Sequence, residues 1–324
     1  MPLYLTRRDV EGLLDLDSAM DMTEQAFREQ AAGAISAMAP RHLEGGGRAL
    51  RVVMGGLLQS QRFGVRAGPA VGFPEGASGK ATVALLWDSS SGELLSIMAY
   101  TFGTLRTGAS IGLATRLFAR QDARVAAMLG TGRNALSLLR AVCHVRPIEH
   151  IRVYSRHPGR RAEFAERAQG SLGLPVEAAA ATEAATKGAD VVCVATDSLT
   201  PVVIAEQLSP GAFVATMGRP SEIDPSIYLA AGRIVVTNKQ HEQEYLDLKS
   251  YTHQLLKLVQ AGRIDWTSGV HEISEIIAGR VSQRASAEET VVFKESAGGY
   301  GDVAFCSYVY DQARKRGLGV ELEL

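Results

Sequence analysis

The sequence predicts an α/β protein in which a doubly wound parallel sheet is inserted into an α+β domain. Three observations carry that prediction. Six short β-rich runs alternate with helical segments from Arg124 to Asn238, a Gly-Thr-Gly turn follows the first of them, and the flanking regions show hairpin and helix patterns instead. Composition agrees with a globular chain: 46% hydrophobic and 21% charged residues in a length of 324. At roughly 100–200 residues per domain that length suggests two domains.

The first 120 residues mix element types. Arg8 to Ala32 places apolar residues at helical spacing, Leu50 to Ala70 reads as paired strands, and Thr82 to Trp87 alternates as a further strand. Ser89-Ser90-Ser91-Gly92 is a turn signal, and the apolar run Glu93 to Tyr100 completes a hairpin. Thr104 to Arg120 is a helix with a small, tightly packing face. The six β-rich runs lie at 125–129, 150–155, 174–179, 190–196, 212–218 and 233–238. Parallel strands need long crossovers, so this alternation predicts helices on both faces and the strand order 3-2-1-4-5-6. Beyond Asn238 the chain is more polar and helical. From Glu289 it holds a strand, a Gly-rich turn and a helix over about 303–316.

The turn Gly130-Thr131-Gly132-Arg133-Asn134-Ala135 has the GxGxxA form between strand and helix. Gly130 permits the tight turn, Gly132 lets backbone approach a pyrophosphate, and Ala135 allows close helix–strand packing at a helix N-terminus that attracts anions. The context of strand, turn and helix makes this a Rossmann dinucleotide site rather than a structural glycine turn. At the end of the second strand an acid would bond the ribose of NAD, but Ser155, Arg156 and then Arg160 and Arg161 stand there. A guanidinium suits a 2′-phosphate, so NADP(H) is the preferred cofactor and NAD(H) the alternative.

Net charge is −1, from 34 basic and 35 acidic side chains, which argues against nucleic acid and anionic membranes as partners. Cys143, Cys193 and Cys306 are far apart and odd in number, so neither a disulfide framework nor a zinc spacing is expected, and a reducing cytoplasm fits. No export segment or membrane span is expected. His241 with Glu242 and Glu244, and His271 with Glu272 and Glu275, have no matched metal-ligand spacing, so no metal is expected.

The chain resembles the ornithine cyclodeaminase and mu-crystallin superfamily, which also contains alanine dehydrogenase and ketimine reductases. The resemblance runs almost end to end, through Phe63-Gly64-Val65-Arg66, Leu105-Arg106-Thr107-Gly108-Ala109, the GTGRNA turn, residues 195–203, 210–218 and 276–284, and Phe293-Lys294-Glu295-Ser296 with its Gly-rich continuation. It implies a substrate-binding and dimerisation domain over 1–118 and 303–324, a Rossmann domain over 119–302, and a homodimer. It also implies that the carboxylate of a 2-amino or 2-imino acid is bound by Arg41, Arg66 and Arg106. The cofactor residues it implies, besides those of the turn and Ser155, Arg156 and Arg160, are Thr107, Thr196, Ser198, Met217, Gly218, Ser296 and Gly298.

Two positions depart from the family pattern. Arg66 replaces a usual lysine, and Pro220 stands where catalytic members usually have an aspartate. An arginine stays charged and is a poor proton carrier, so both usual proton-transfer groups are missing. Arg66 itself and Glu222, close to Pro220, are the catalytic candidates, although Glu222 and Asp224 also suit the start of a helix. Asp302 reads as a cap for the last helix, and Lys294 with Glu295 either reach the cleft or form a solvated pair. The resemblance implies an NAD(P)H-dependent oxidoreductase on a small anionic imine or 2-amino acid. The alternatives are a cyclodeaminase-type ammonia lyase, which the missing aspartate disfavours, and a non-catalytic binding protein. Three convergent arginines would suit a ligand with more than one acidic group.

Overall fold

The computed structural model describes residues 1–71, 81–244, 253–296 and 298–323. The chain forms two compact units, Met1–Arg106 with Ala297–Leu324, and Thr107–Ser296. The first begins with β1 (Leu3–Leu5), α1 (Arg7–Glu11) and α2 (Leu16–Ala31). The single helical stretch expected over residues 8–32 is therefore two helices. The first stops at Gly12, and Asp15 starts the second by accepting from the Ser18 amide in a capping box. There follow β2 (Ile35–Ala37), β3 (Arg41–Gly45), β4 (Arg48–Leu57), β5 (Arg62–Val71), β6 (Val83–Asp88) and β7 (Leu94–Ala99). Strands β4 to β7 are successive antiparallel neighbours, as the paired-strand and hairpin readings require.

Helix α3 (Gly103–Phe118) crosses the boundary between the units at Arg106/Thr107, where the sequence suggested a boundary after residue 118. The reason is packing within the second unit: a side chain on Gly108 would run into Ser137, and the Phe118 ring lies against Phe213 and Phe293. The second unit continues with β8 (Val125–Leu129), α4 (Ala135–Val145), β9 (His150–Tyr154), α5 (Pro158–Leu172), β10 (Val176–Ala178), α6 (Thr182–Thr186), β11 (Val191–Val194) and β12 (Phe213–Thr216). Then come α7 (Pro225–Ala230), β13 (Arg233–Val236), α8 (Lys239–Glu244), α9 (Gln254–Gln260), β14 (Val270–Glu272), α10 (Ile273–Ile277) and β15 (Val291–Lys294).

Among the described residues this unit holds one eight-stranded, wholly parallel sheet in the order β10-β9-β8-β11-β12-β15-β13-β14. The expected order is kept through its fifth strand. The sixth place belongs not to Arg233–Val236 but to β15, which pairs with β12 on one side and β13 on the other. All four β15 residues are buried, as a central strand covered on both faces requires. Two arginines, Arg146 buried and Arg284 half-buried, close the C-terminal end of α3. Arg146 donates to the carbonyls of Arg116, Ala119, Arg120 and Val145 at 2.7–2.9 Å, and Arg284 donates to those of Phe118, Gly211, Ala287 and Glu289.

The chain then returns to the first unit with α11 (Gly299–Arg316) and β16 (Val320–Glu321). The sheet of this unit runs β16-β1-β7-β6-β5-β4-β2, with β3 also paired to β4. Helix α11 covers one face. It approaches so closely that a side chain on Gly55 would meet the backbone of Tyr300, and the Tyr300 hydroxyl donates to Gln30 of α2 at 2.9 Å. By register the other face carries Phe63, Val65, Leu85, Trp87 and Val83. No helix among the described residues is long and apolar enough to cross a membrane.

Candidate functional site

In the second unit, β8 ends in the GxGxxA turn. Gly130 has φ +102°, and a β-carbon on it would lie 2.3 Å from the Ala195 carbonyl oxygen, so only glycine serves here. Around Gly132 the space that a β-carbon would enter is open, which leaves the backbone approachable by a ligand. Asn134 precedes α4 without a side-chain cap, so the start of that helix keeps its partial positive charge for an anion. Its amide donates to the Met217 sulfur at 3.6 Å, which brings the turn against the end of β12. These features fit a dinucleotide pyrophosphate at the carboxyl ends of the strands.

Glu222 fixes the neighbouring strand ends. Its carboxylate accepts from the Thr196 amide at 2.7 Å, the Thr196 hydroxyl at 2.8 Å, the Thr216 hydroxyl at 2.5 Å and the Gly218 amide at 2.8 Å. The side chain is fully buried, and burial holds its carboxyl above the ordinary value against the pull of the Thr216 and Thr196 donors and the Lys294 charge. The catalytic role expected of Glu222 is thereby corrected. Its oxygens are engaged by the ends of β11 and β12, and what it positions are Thr196 and Gly218, two of the expected cofactor residues. Pro220 brings no titratable group to this turn. Asp224 caps α7 by accepting from the Ser226 amide at 2.9 Å.

At the end of β9, Ser155 is half-buried while Arg156 and Arg160 are exposed. Arg156 lies 3.8 Å from Asp197, an acid that sequence reasoning passed over because it is 41 residues away on another strand end. Arg161 lies over the Tyr154 ring. Thr131 is half-buried and Arg133 exposed at the turn. Ser198 donates to the Thr200 carbonyl at 2.6 Å. Thr107 is buried in α3.

After β15 the solvated-pair alternative is overturned, since Lys294 and Glu295 are both buried. Lys294 donates to the Glu295 carbonyl at 3.2 Å, and the Ser296 amide donates to the Thr237 hydroxyl at 3.1 Å. Nearby, Glu242 meets His253 at 2.6 Å with both side chains buried. Burial opposes ionisation of Glu242, but the His253 bond and then Lys294 outweigh it and hold the carboxyl below its ordinary value. This acid supports the fold beneath the Ser296 turn, and no cluster of three metal-binding side chains exists among the described residues.

In the first unit, Arg66 on β5 and Arg106 on α3 meet at one acid of α11. Arg66 Nε lies 2.8 Å from Asp302 Oδ2, Arg106 Nε 3.0 Å from Oδ1, and the Tyr100 hydroxyl donates to Oδ1 at 2.6 Å. The Arg66 guanidinium also stacks over the Tyr100 ring at 4.6 Å. Burial, and then the Asp302 charge, push the Tyr100 hydroxyl well up, so it stays protonated. Asp302 does not cap α11, whose N-cap is Gly298. Its role was missed because an acid in the first turn of a helix looks like a cap, and Tyr100 gave no signal at all. Arg41 is not brought to this cluster. It is exposed on β3 and pairs with Val52, whereas Arg66 pairs with Val53, so register puts the two arginines on opposite faces.

Comparison with known proteins follows this geometry. The model of the ornithine cyclodeaminase/mu-crystallin family matches residues 2–317. A Delta(1)-pyrroline-2-carboxylate reductase of Bacillus cereus is 32% identical over 247 residues, covering 74% of each chain. The solved structure of Thermococcus litoralis Delta(1)-pyrroline-2-carboxylate reductase in complex with NADH and L-proline superposes with a TM-score of 0.87 at 27% identity, covering 99% of this chain and 100% of that one. An archaeal alanine dehydrogenase dimer with bound NAD gives 0.86 at 28% identity, over 100% and 99% of the two chains.

Proposed function

Because the chain belongs to the ornithine cyclodeaminase/mu-crystallin family, we propose that it is a nicotinamide-dependent oxidoreductase that reduces the C=N bond of a small anionic imine, or oxidises the matching 2-amino acid. The observation that carries this reading is the meeting of Arg66 and Arg106 at Asp302, a preorganised cationic pair for a carboxylate. A bound nicotinamide supplies hydride. The chain's own task is to clamp the carboxylate and orient the imine, which suits a sequence in which Arg66 and Pro220 replace the lysine and aspartate usual in the family. Arg41, on the opposite face by register, drops out of this clamp, and Arg66 remains in it as a binding group rather than a proton carrier.

Gly130 to Ala135 and the start of α4 would hold the pyrophosphate, with Thr107, Thr196, Ser198, Met217, Gly218, Ser296 and Gly298 as the further cofactor residues. NADP(H) is preferred through Ser155, Arg156 and Arg160. Arg156→Ala is expected to raise KM for NADPH roughly 10- to 100-fold with little change for NADH, the range of one charge-assisted hydrogen bond. Equal losses with both cofactors would remove Arg156 from the 2′-phosphate contact. The protein works as a cytoplasmic homodimer through the outward sheet face of the first unit. There Phe63 is 42% exposed, and it lines a cavity of about 210 Å³ with Met38, Met54, Val65 and Trp87.

The test is loss of NADPH absorbance with cyclic imino acids, and with 2-oxo acids supplied with ammonia or amines. Turnover, with kcat/KM reduced about a hundredfold or more in Arg106→Ala, is expected. Ammonia release without net cofactor change would point instead to a lyase, and cofactor binding without turnover to a binding protein.

A further inference from the structure

Two guanidinium groups and one carboxylate make up the core of the Arg66–Arg106–Asp302 cluster. We propose that Asp302 is the charge-setting residue of the substrate site: it cancels one of the two arginine charges and so selects a ligand with a single carboxylate over one with two. This inference rests on the reading that Arg66 and Arg106 bind the substrate carboxylate, and it revises the expectation that convergent arginines favour a dicarboxylate. Three features argue that Asp302 is built into the clamp. It is almost fully buried, both of its oxygens face arginines, and Tyr100, which also bonds to it, is neutral.

The geometry also gives Asp302 a positioning role. It accepts a hydrogen bond from Arg66 Nε and pairs by charge with Arg106, whose Nε lies 3.0 Å from Oδ1, and the Tyr100 ring under Arg66 limits rotation of that group. A guanidinium held in place by a buried acid keeps a fixed orientation in which it can meet a substrate carboxylate. Removing the acid charge leaves two positive groups a few ångströms apart in a partly dehydrated site, where an added anion is worth much more than in water.

The experiment measures binding of L-proline and of cis-pyrrolidine-2,5-dicarboxylate to the NADP-loaded protein by calorimetry, beside turnover of a monocarboxylate and a dicarboxylate imine. The wild type is expected to bind the monocarboxylate more tightly. In Asp302→Asn the affinity ratio is expected to move toward the dicarboxylate by at least about tenfold. Asp302→Glu should keep the wild-type ratio, and the double variant R66Q/D302N should return it. A wild type that prefers the dicarboxylate, or an Asp302→Asn protein that loses affinity for both ligands equally, overturns the proposal. Should Asp302→Asn fail to fold, the wild-type ratio and the double variant still decide it. Absence of imine turnover by the wild type would instead count against the reductase reading, while the calorimetric ratio continues to report on charge selection.

Discussion

Glu222→Ala is expected to destabilise the chain by about 3–5 kcal/mol, well beyond the ordinary range for a single substitution. Four donors lose their acceptor at once: the Thr196 amide and hydroxyl, the Thr216 hydroxyl and the Gly218 amide. An orphaned buried donor costs roughly 1–3 kcal/mol, and water entering the cavity returns part of that sum. Denaturant unfolding measures the loss. A change below about 1 kcal/mol would mean that the strand ends hold without this acid. A pH series adds an independent check. Burial raises the Glu222 carboxyl above its ordinary value, so its stabilising contribution is complete below the unfolded value and is lost as pH rises through the folded one. The stability advantage of wild type over Glu222→Gln should therefore shrink from the ordinary carboxylate range upward. An advantage that grows over the same interval would show that the four donors, not burial, govern the group.

The second large effect is expected at Arg146. Its guanidinium is buried without a carboxylate partner among the described residues and serves four backbone carbonyls, three of them in or just beyond the last turn of α3. Burial pulls its pKa down, but the helix-end carbonyls it meets favour a cation. Arg146→Met keeps much of the stem and removes every one of those bonds. The expected loss is about 3–5 kcal/mol, taking charge-assisted bonds at roughly 1.5–3 kcal/mol each with partial recovery by water. Thermal unfolding followed by circular dichroism would show it as a large fall in Tm. A fall of only a degree or two would mean that Arg284, at the same helix end, suffices alone.

Local signals were legible in the sequence and non-local ones were not. The Gly130 turn could be read because strand, glycines and helix are adjacent, and its positive φ follows from the same few residues. The six runs of the parallel sheet could be read because each is a short buried strand between helical segments. The place of β15 could not. It is set by pairing with strands more than 50 residues upstream, and a buried tetrapeptide fits any central slot. Acids posed the same problem. Glu222, Asp224 and Asp302 all read as helix-start residues, yet only Asp224 caps a helix, while Glu222 ties strand ends and Asp302 ties arginines. Lys294 and Glu295 read as surface residues because charge predicts exposure on average, and their burial depends on partners from elsewhere in the fold. Arg66 and Arg106 were identified by resemblance; the acid that unites them was not.

The late arrival of β15 and α11 also bears on how the polypeptide emerges from the ribosome. Synthesis releases seven strands of each sheet before the segments that complete them. Until residues 291–294 appear, β12 and β13 have an empty slot between them, and until α11 appears the face bearing Arg66 lacks its cover. Both units thus wait, with unpaired strand edges and apolar surface showing, for the same stretch from β15 through α11. That interval is when nascent chains are most in need of chaperones.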